Sequence, residues 1–298
     1  MASVDGVLIV DKPAGPTSHD VVACVRRATG WLKVGHTGTL DPLATGVLPL
    51  VVGRATRLAQ FLSAADKVYE AEVRLGWATN TYDAEGTPMD LTGLTPRAAD
   101  DLEAVLDRFR GSYLQVAPPF SAKKTGGVRA YSLARKGVPA APRQSPVTVY
   151  ELSCIERGDE RLRLRLRCSA GFYVRAFAHE LGIALGVGGH LSALRRTKSG
   201  DFDAAEAVAL GTVLAEGQAA ASRLVPLERL LASMPAVVVT AAGVARALHG
   251  NQLRTEDVRA LPEATAAWVR VVDEDGALLA IAEPSGKGGF LHPRVVVR

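Results

Sequence analysis

Apolar and polar positions change their period several times along this chain, and each change predicts an element. Residues 7–10, Val-Leu-Ile-Val, are a continuous apolar run that reads as a short strand ending at Asp11-Lys12-Pro13. Thr17 or Ser18 then caps a helix with Val21, Val22, Val25 and Ala28 on one face, and Gly30 ends it. The run Gly46 to Gly53 reads as a buried strand, followed by a helix over Ala55 to Leu62 with Arg54 and Arg57 near its start. Tyr69 to Leu75 alternates as a strand, whereas Leu102, Val105, Leu106 and Phe109 carry a helical period through residues 96–110.

Strands at 147–154 and 161–168 come next, then a loop from Ser169 to Phe172 and a helix from Val174 to Leu185, closed by Gly186-Val187-Gly188-Gly189. In the second of these strands Arg161, Arg163, Arg165 and Arg167 alternate with Leu162, Leu164 and Leu166, which puts leucines inward and arginines outward. The alanine-rich stretch 204–232 predicts helix, and the Pro-, Gly- and Thr-rich segments 86–96 and 136–146 predict mobile loops. Chain character changes near Met234-Pro235. Thr240 to His249 reads as a helix ending at Gly250, and WVRVVDEDGALLAIAEP is a hairpin pattern turning at Asp275-Gly276. Strands do not alternate regularly with helices, so the class is α+β with a mainly antiparallel central sheet and a small β-rich C-terminal domain. The expected domains are 1–233 and 234–298.

Composition adds boundaries. At 298 residues the chain can hold one large domain and a small one; 48% apolar and 22% charged residues are ordinary for a globular protein. Cys24, Cys154 and Cys168 form no CxxC pair and are odd in number, which argues against a disulfide framework and for a reducing cytoplasm. The opening MASVDGVLIVDKP lacks the basic stretch of a signal peptide, and no apolar run approaches a membrane span. A net charge of +4 permits an anionic partner without requiring one. The arginine row is read as a solvated sheet face at least as readily as an RNA contact. His179-Glu180 has no second histidine at zincin spacing, the glycine clusters match no P-loop or dinucleotide fingerprint, and no metal-ligand spacing is present.

The densest candidate chemistry lies in Gly35–Leu50, GHTGTLDPLATGVLPL, where Asp41 is the one acidic residue among sixteen. A carboxylate at the mouth of an apolar strand needs a partner, a ligand or a role. On spacing alone, Asp41-Pro42 as ordinary turn chemistry is the stronger reading.

This segment resembles the catalytic motif of the TruB family, the tRNA pseudouridine-55 synthases. VLIVDKPAGPTSHDVV, DKVYEAEVRLGWATNTYDAEG, PPFSAKKTGGVRAYSLARKG and GFYVRAFAHELG resemble the same family in the same order, covering nearly all of residues 4–232. The resemblance implies the pseudouridine synthase fold and isomerisation of uridine 55 in the T loop of tRNA. The ending resembles a PUA-type RNA-binding module that touches the acceptor side; a small β-rich domain completing the fold is the alternative. It also implies roles: Asp41 as catalytic carboxylate, Arg175 as its ion-pair partner, Tyr69 stacked on the flipped uracil, and His36 filling the space left in the RNA. Tyr173 and Leu194 wall the pocket, and Lys12 serves packing or phosphate support. Lys123, Lys124, Arg129 and Arg135 lie in an RNA-gripping loop of about 118–137, in which Phe120 stands where the family pattern has a tyrosine. The reaction has no redox step and no net hydrolysis, so no cofactor or metal is expected. A monomer acting on tRNA without a membrane or a protein partner is the expectation. Two rivals stay open: a tRNA-folding chaperone with catalysis secondary, and a pseudouridine synthase for another RNA.

Overall fold

The computed structural model describes residues 4–91, 93–94, 102–119, 124–125, 128–129, 144–260, 266–285 and 290–298. In chain order the elements begin with β1 (Gly6–Lys12), α1 (Ser18–Thr29), β2 (Val34–His36), β3 (Thr45–Val52), α2 (Ala59–Ala64), β4 (Lys67–Leu75), β5 (Ala78–Thr79) and β6 (Pro88–Met89). There follow α3 (Leu102–Asp107), β7 (Gly111–Val116), β8 (Lys124–Thr125), β9 (Val128–Arg129), β10 (Gln144–Arg157), β11 (Arg161–Cys168) and α4 (Val174–Ala184). The rest are β12 (Gly189–Ser199), β13 (Phe202–Asp203), β14 (Val208–Ala209), α5 (Leu210–Glu216), β15 (Ala236–Val239), α6 (Ala241–Leu248), β16 (Val258–Ala260), β17 (Val269–Val272), β18 (Leu278–Ser285) and β19 (Phe290–Val296). Contacts group the chain into two compact units: Met1–Pro42, Gly46–Ala64 and Asp201–Arg298 in the first, Leu43–Thr45 and Ala65–Gly200 in the second.

In the first unit β1 lies antiparallel to β3 from Gly6↔Val52 to Lys12↔Gly46, with β14 parallel on its other side and β2 also paired to β3. Val7 to Val10 and Val47 to Val52 are buried without alternation. A continuous apolar run is what a strand covered on both faces requires. Thr17 and Asp20 form a full capping box at the start of α1, and Gly30 ends the helix in the left-handed conformation. A second sheet has the order β16-β15-β17-β18-β19, with β15 and β17 parallel and the other neighbours antiparallel. Its β17–β18 hairpin turns at Asp275-Gly276, as the sequence predicts; Asp273 Oδ1 accepts from the Ala277 amide at 2.8 Å. Val272, Leu278, Ile281 and Val297 share one core with Val7, Ile9, Val47, Val51 and Leu58, so residues from both ends of the chain bury each other's apolar faces.

The second unit has the strand order β12-β4-β11-β10-β7, each pair antiparallel. β11 alternates as its sequence predicts: Leu162, Leu164 and Leu166 are fully buried and the four arginines exposed. Each such leucine contributes about 1.5–3 kcal/mol by leaving water. α4 packs on β12 at backbone distance, because a Cβ at Gly182 would sit 2.1 Å from the Gly189 amide nitrogen. The glycines after α4 therefore permit a close crossing rather than simply ending the helix.

Several elements differ from the sequence reading. Residues 53–58 form a 3-10 helix before α2, in place of one α-helix. α3 is described over Leu102–Asp107 and ends before the expected residue 110; residues 95–101 lie outside the described set. The stretch 204–232 breaks into α5, the short strand β14 and three 3-10 turns, because Gly211, Gly217 and Pro226 interrupt its alanines. β12 was not foreseen as a strand. Two β-bulges, at Leu191/Ala193 and Arg196/Lys198, shift its side-chain phase and erase the period-2 pattern. The fold is α+β, as expected.

Candidate active site

In the first unit, Asp41 occupies the loop between β2 and β3 and is half-buried. The residues on either side of it are fixed by elements distant in sequence. Ser18, at the start of α1, is buried, and its hydroxyl accepts from the Leu40 amide at 2.9 Å while donating to the Leu40 carbonyl at 3.1 Å. The Pro42 carbonyl accepts from the Gly15 amide at 2.9 Å and from Lys12 Nζ at 3.2 Å. Lys12 is fully buried, and its ammonium also donates to the Pro13 carbonyl at 2.9 Å. Thus one hydroxyl, one amide and one buried ammonium hold irregular backbone that no ladder satisfies. His36 ends β2 and meets the His19 ring edge-on, with centroids 5.8 Å apart. The Thr37 amide donates to the Pro49 carbonyl at 3.0 Å, so the loop leaves β2 in a fixed direction.

In the second unit, Lys67, Tyr69, Ala71 and Val73 share the buried face of β4. Tyr69 has Leu166 of β11 and Arg196 of β12 as its cross-strand partners. Arg196 is fully buried, and burial together with its charge pushes Lys67 down to about 8. Burial pushes the neighbouring Cys168 thiol up to about 12, so it carries no thiolate at neutral pH. Leu194 of β12 is buried, and its carbonyl accepts from Thr45 Oγ1 at 3.3 Å.

Tyr173 caps α4 and is gripped at both backbone groups. Its amide donates to Gln115 Oε1 at 2.8 Å, and its carbonyl accepts from Gln115 Nε2 at 3.0 Å. Arg175, in the first turn of α4, is buried; Nη1 donates to the Thr81 carbonyl at 3.0 Å and lies 3.5 Å from Asp83 Oδ2. Asp83 is buried too and is held by Thr81 Oγ1 at 2.6 Å and by the Glu85 amide at 3.1 Å. An ion pair so enclosed is sustained by these extra bonds, since burial alone would oppose both charges. Between them, Tyr82 takes φ +66°, which costs an L-residue about 1–2 kcal/mol.

Asp83 was missed by sequence reasoning. The available signal was Thr79-Asn80-Thr81-Tyr82-Asp83, in which every second residue is a short polar group just after a strand. Lys124 and Arg129 face each other across the β8–β9 ladder by backbone register. Lys123, Arg135 and Phe120 lie outside the described residues. Three arginines of β11 form ion pairs on the sheet surface: Arg161 with Glu72, Arg163 with Glu70 and Glu156, Arg167 with Asp66 and Glu151. Among the described residues no cluster of three or more His, Cys, Asp or Glu is arranged to hold a metal ion, and no helix is long and apolar enough to cross a membrane.

Two family descriptions match this chain in succession: TruB family pseudouridylate synthase (N terminal domain) over residues 26–174, and tRNA pseudouridylate synthase B C-terminal domain over residues 175–238. A tRNA pseudouridine synthase B of Solibacter usitatus (strain Ellin6076) is 44% identical over 298 residues, covering 99% of this chain and 100% of that protein. One of Dechloromonas aromatica (strain RCB) is 41% identical over 296 residues, covering 99% and 96%. Among solved structures, a chain of the "Crystal Structure of a Cbf5-Nop10-Gar1 Complex" superposes with a TM-score of 0.78 at 28% identity, covering 98% of this chain and 85% of that one. A chain of the "Structure of H/ACA RNP bound to a substrate RNA containing 2'-deoxyuridine" gives 0.74 at 27%, with coverage of 98% and 85%. Such identity along the whole length, with both family domains in order, places the chain in the TruB family of pseudouridylate synthases.

Proposed function

We propose that this chain converts uridine to pseudouridine at position 55 in the T loop of tRNA. The coarser part, isomerisation of a tRNA uridine, follows from family membership and from relatives that carry that name. Breaking the C1′–N1 bond and rejoining the base through C5 needs a carboxylate, a pocket poor in water, and extrusion of the base from its stack. Asp41 supplies the carboxylate. The observation that carries this assignment is the immobilised backbone on both sides of it, at Leu40 and Pro42.

Arg175 is assigned as the guanidinium partner of Asp41; its planar fork suits a fixed hold on a carboxylate. Tyr69 offers a sequence-tolerant ring to the extruded uracil, a stack worth about 1–3 kcal/mol. Tyr173 and Leu194 wall the pocket and His36 fills the gap left in the RNA. Lys12 acts from beneath by holding Pro42, and Lys123, Lys124 and Arg129 contact phosphates. Residues 234–298 act as a PUA-like module on the acceptor side, within a protein that works as a cytoplasmic monomer.

A second reading draws on the superposition with a chain of an H/ACA RNP bound to a substrate RNA, in which another RNA would be the substrate. The stronger identity to tRNA enzymes favours tRNA. One experiment addresses both. Purified chain is incubated with unmodified tRNA transcript, and pseudouridine is mapped by carbodiimide-dependent reverse-transcription stops. A single stop at position 55 is expected, absent with Asp41→Asn. Turnover retained by Asp41→Asn would remove the carboxylate assignment, and a stop elsewhere would remove the position.

A further inference from the structure

The loop of residues 80–86, between β5 and β6, carries two partners of Arg175: the Thr81 carbonyl and the Asp83 carboxylate. Its backbone is held in a shape that Tyr82 itself disfavours, since an aromatic residue in the left-handed region is an outlier. Three backbone bonds impose that shape. The Tyr82 amide donates to Thr79 O at 3.1 Å, the Leu191 amide of β12 donates to Tyr82 O at 3.0 Å, and the Ala84 amide donates to Leu191 O at 2.9 Å. Gly86 lets the loop close on itself, because a Cβ there would lie 2.3 Å from Thr81 Oγ1. A strained residue so thoroughly fixed invites a functional explanation.

What the conformation achieves is a stack. The Tyr82 ring lies on His179 with centroids 3.8 Å apart and planes 7° from parallel. His179 follows Arg175 by four residues on α4, so both side chains leave the same face of that helix one turn apart. The loop is therefore fastened to α4 at two levels: by the guanidinium at Thr81 and Asp83, and by the ring at His179. The backbone bonds to Leu191 of β12 hold the loop's shape, and the stack adds a second contact with α4 beside the guanidinium.

We propose that Tyr82 is a positioning residue for Arg175, acting through its stack on His179 to hold Thr81 O and Asp83 where they orient the guanidinium. The inference rests on the assignment of Arg175 to the reacting centre. Glycine accepts φ +66° without strain, so Tyr82→Gly removes the ring and leaves the backbone at ease; Tyr82→Phe keeps the ring. The full chain, these two variants, Arg175→Lys, and the double variant Arg175→Lys/Tyr82→Gly are compared in kcat and KM on tRNA transcript, with melting temperatures alongside. Tyr82→Phe is expected to match the parent. Tyr82→Gly should keep its melting temperature within a few degrees and its KM, yet lose kcat by about tenfold, the scale of a small misplacement in a reacting site. In the Arg175→Lys background the same change should have no further effect on kcat. An unchanged kcat for Tyr82→Gly, or an equal loss in both backgrounds, overturns the role of Tyr82 alone. Full activity of Arg175→Lys overturns the assignment of Arg175, and with it the inference.

Discussion

Ser18→Ala is the perturbation whose effect can be worked most directly from the geometry. The hydroxyl accepts from the Leu40 amide and donates to its carbonyl, and both residues are buried. Alanine removes a donor and an acceptor together and leaves both backbone groups of Leu40 unsatisfied. At about 1–3 kcal/mol for each orphaned group, less what water entry recovers, the loss of folding stability should be about 2–4 kcal/mol. Leu40 directly precedes Asp41, so part of that loss falls on the loop that carries the proposed catalytic carboxylate. If about 1–2 kcal/mol of it appears in the barrier, kcat falls roughly 5- to 30-fold.

The control lies one residue away. Thr17 caps the same helix through Asp20 but makes no hydrogen bond to the loop. Thr17→Ala should cost about 1 kcal/mol of stability, the usual worth of an N-cap, with kcat unchanged. Urea unfolding gives the stabilities, and single-turnover pseudouridine formation on tRNA transcript gives the rates. If Ser18→Ala destabilised no more than Thr17→Ala, or kept full kcat, the loop would not be held as argued.

Two further outcomes follow from the second unit. Arg163→Ala should change stability by less than about 1 kcal/mol, because its ion pairs with Glu156 and Glu70 are solvent-exposed. The same variant should leave the salt dependence of tRNA binding unchanged; a slope shallower by about 0.7–0.9 would make Arg163 a phosphate contact. Glu180 is an acid pushed up to about 7 by burial, so the folded state holds its proton more tightly than the unfolded chain. Its contribution to stability is complete below the ordinary carboxyl value of 4.5 and is lost as pH rises through about 7. Urea midpoints at pH 5 and pH 8 should therefore differ more in the parent than in Glu180→Gln; an equal difference in both would place the Glu180 carboxyl in water.

Where local chemistry decides the structure, the sequence was legible. The helix start at Thr17-Ser18, the leucine–arginine alternation of β11 and the Asp275-Gly276 turn each act within a few residues of themselves, and each is found where expected. β12 failed for a physical reason, since two bulges invert its alternation partway along. The site divides in the same manner. Asp41 and Arg175 stood out through resemblance to a family, but what holds them did not. Ser18 reaches Leu40 across 22 positions, Lys12 reaches Pro42 across 30, and Arg175 reaches Thr81 across 94. No periodicity encodes a separation of that kind.

These long reaches have a common cause. A carboxylate on a strand would project from a surface already packed, whereas Asp41 sits on a loop, where backbone groups lack ladder partners. Those groups must be met by side chains from regular elements, and the donors here are a helix-borne hydroxyl and a strand-borne ammonium. The ammonium of Lys12 would be costly to bury alone, and the carbonyls of Pro13 and Pro42 offset that cost. The loop that carries Thr81 and Asp83 repeats the logic: the Thr81 carbonyl and the Asp83 side-chain carboxylate face the buried Arg175. In each unit the rigid element lends one buried cation to a loop, and the loop in return satisfies that cation. Removing either cation therefore uncovers polar backbone as well as a charge. Losses at Lys12 and Arg175 should exceed those at any exposed arginine of β11, although all are single basic residues.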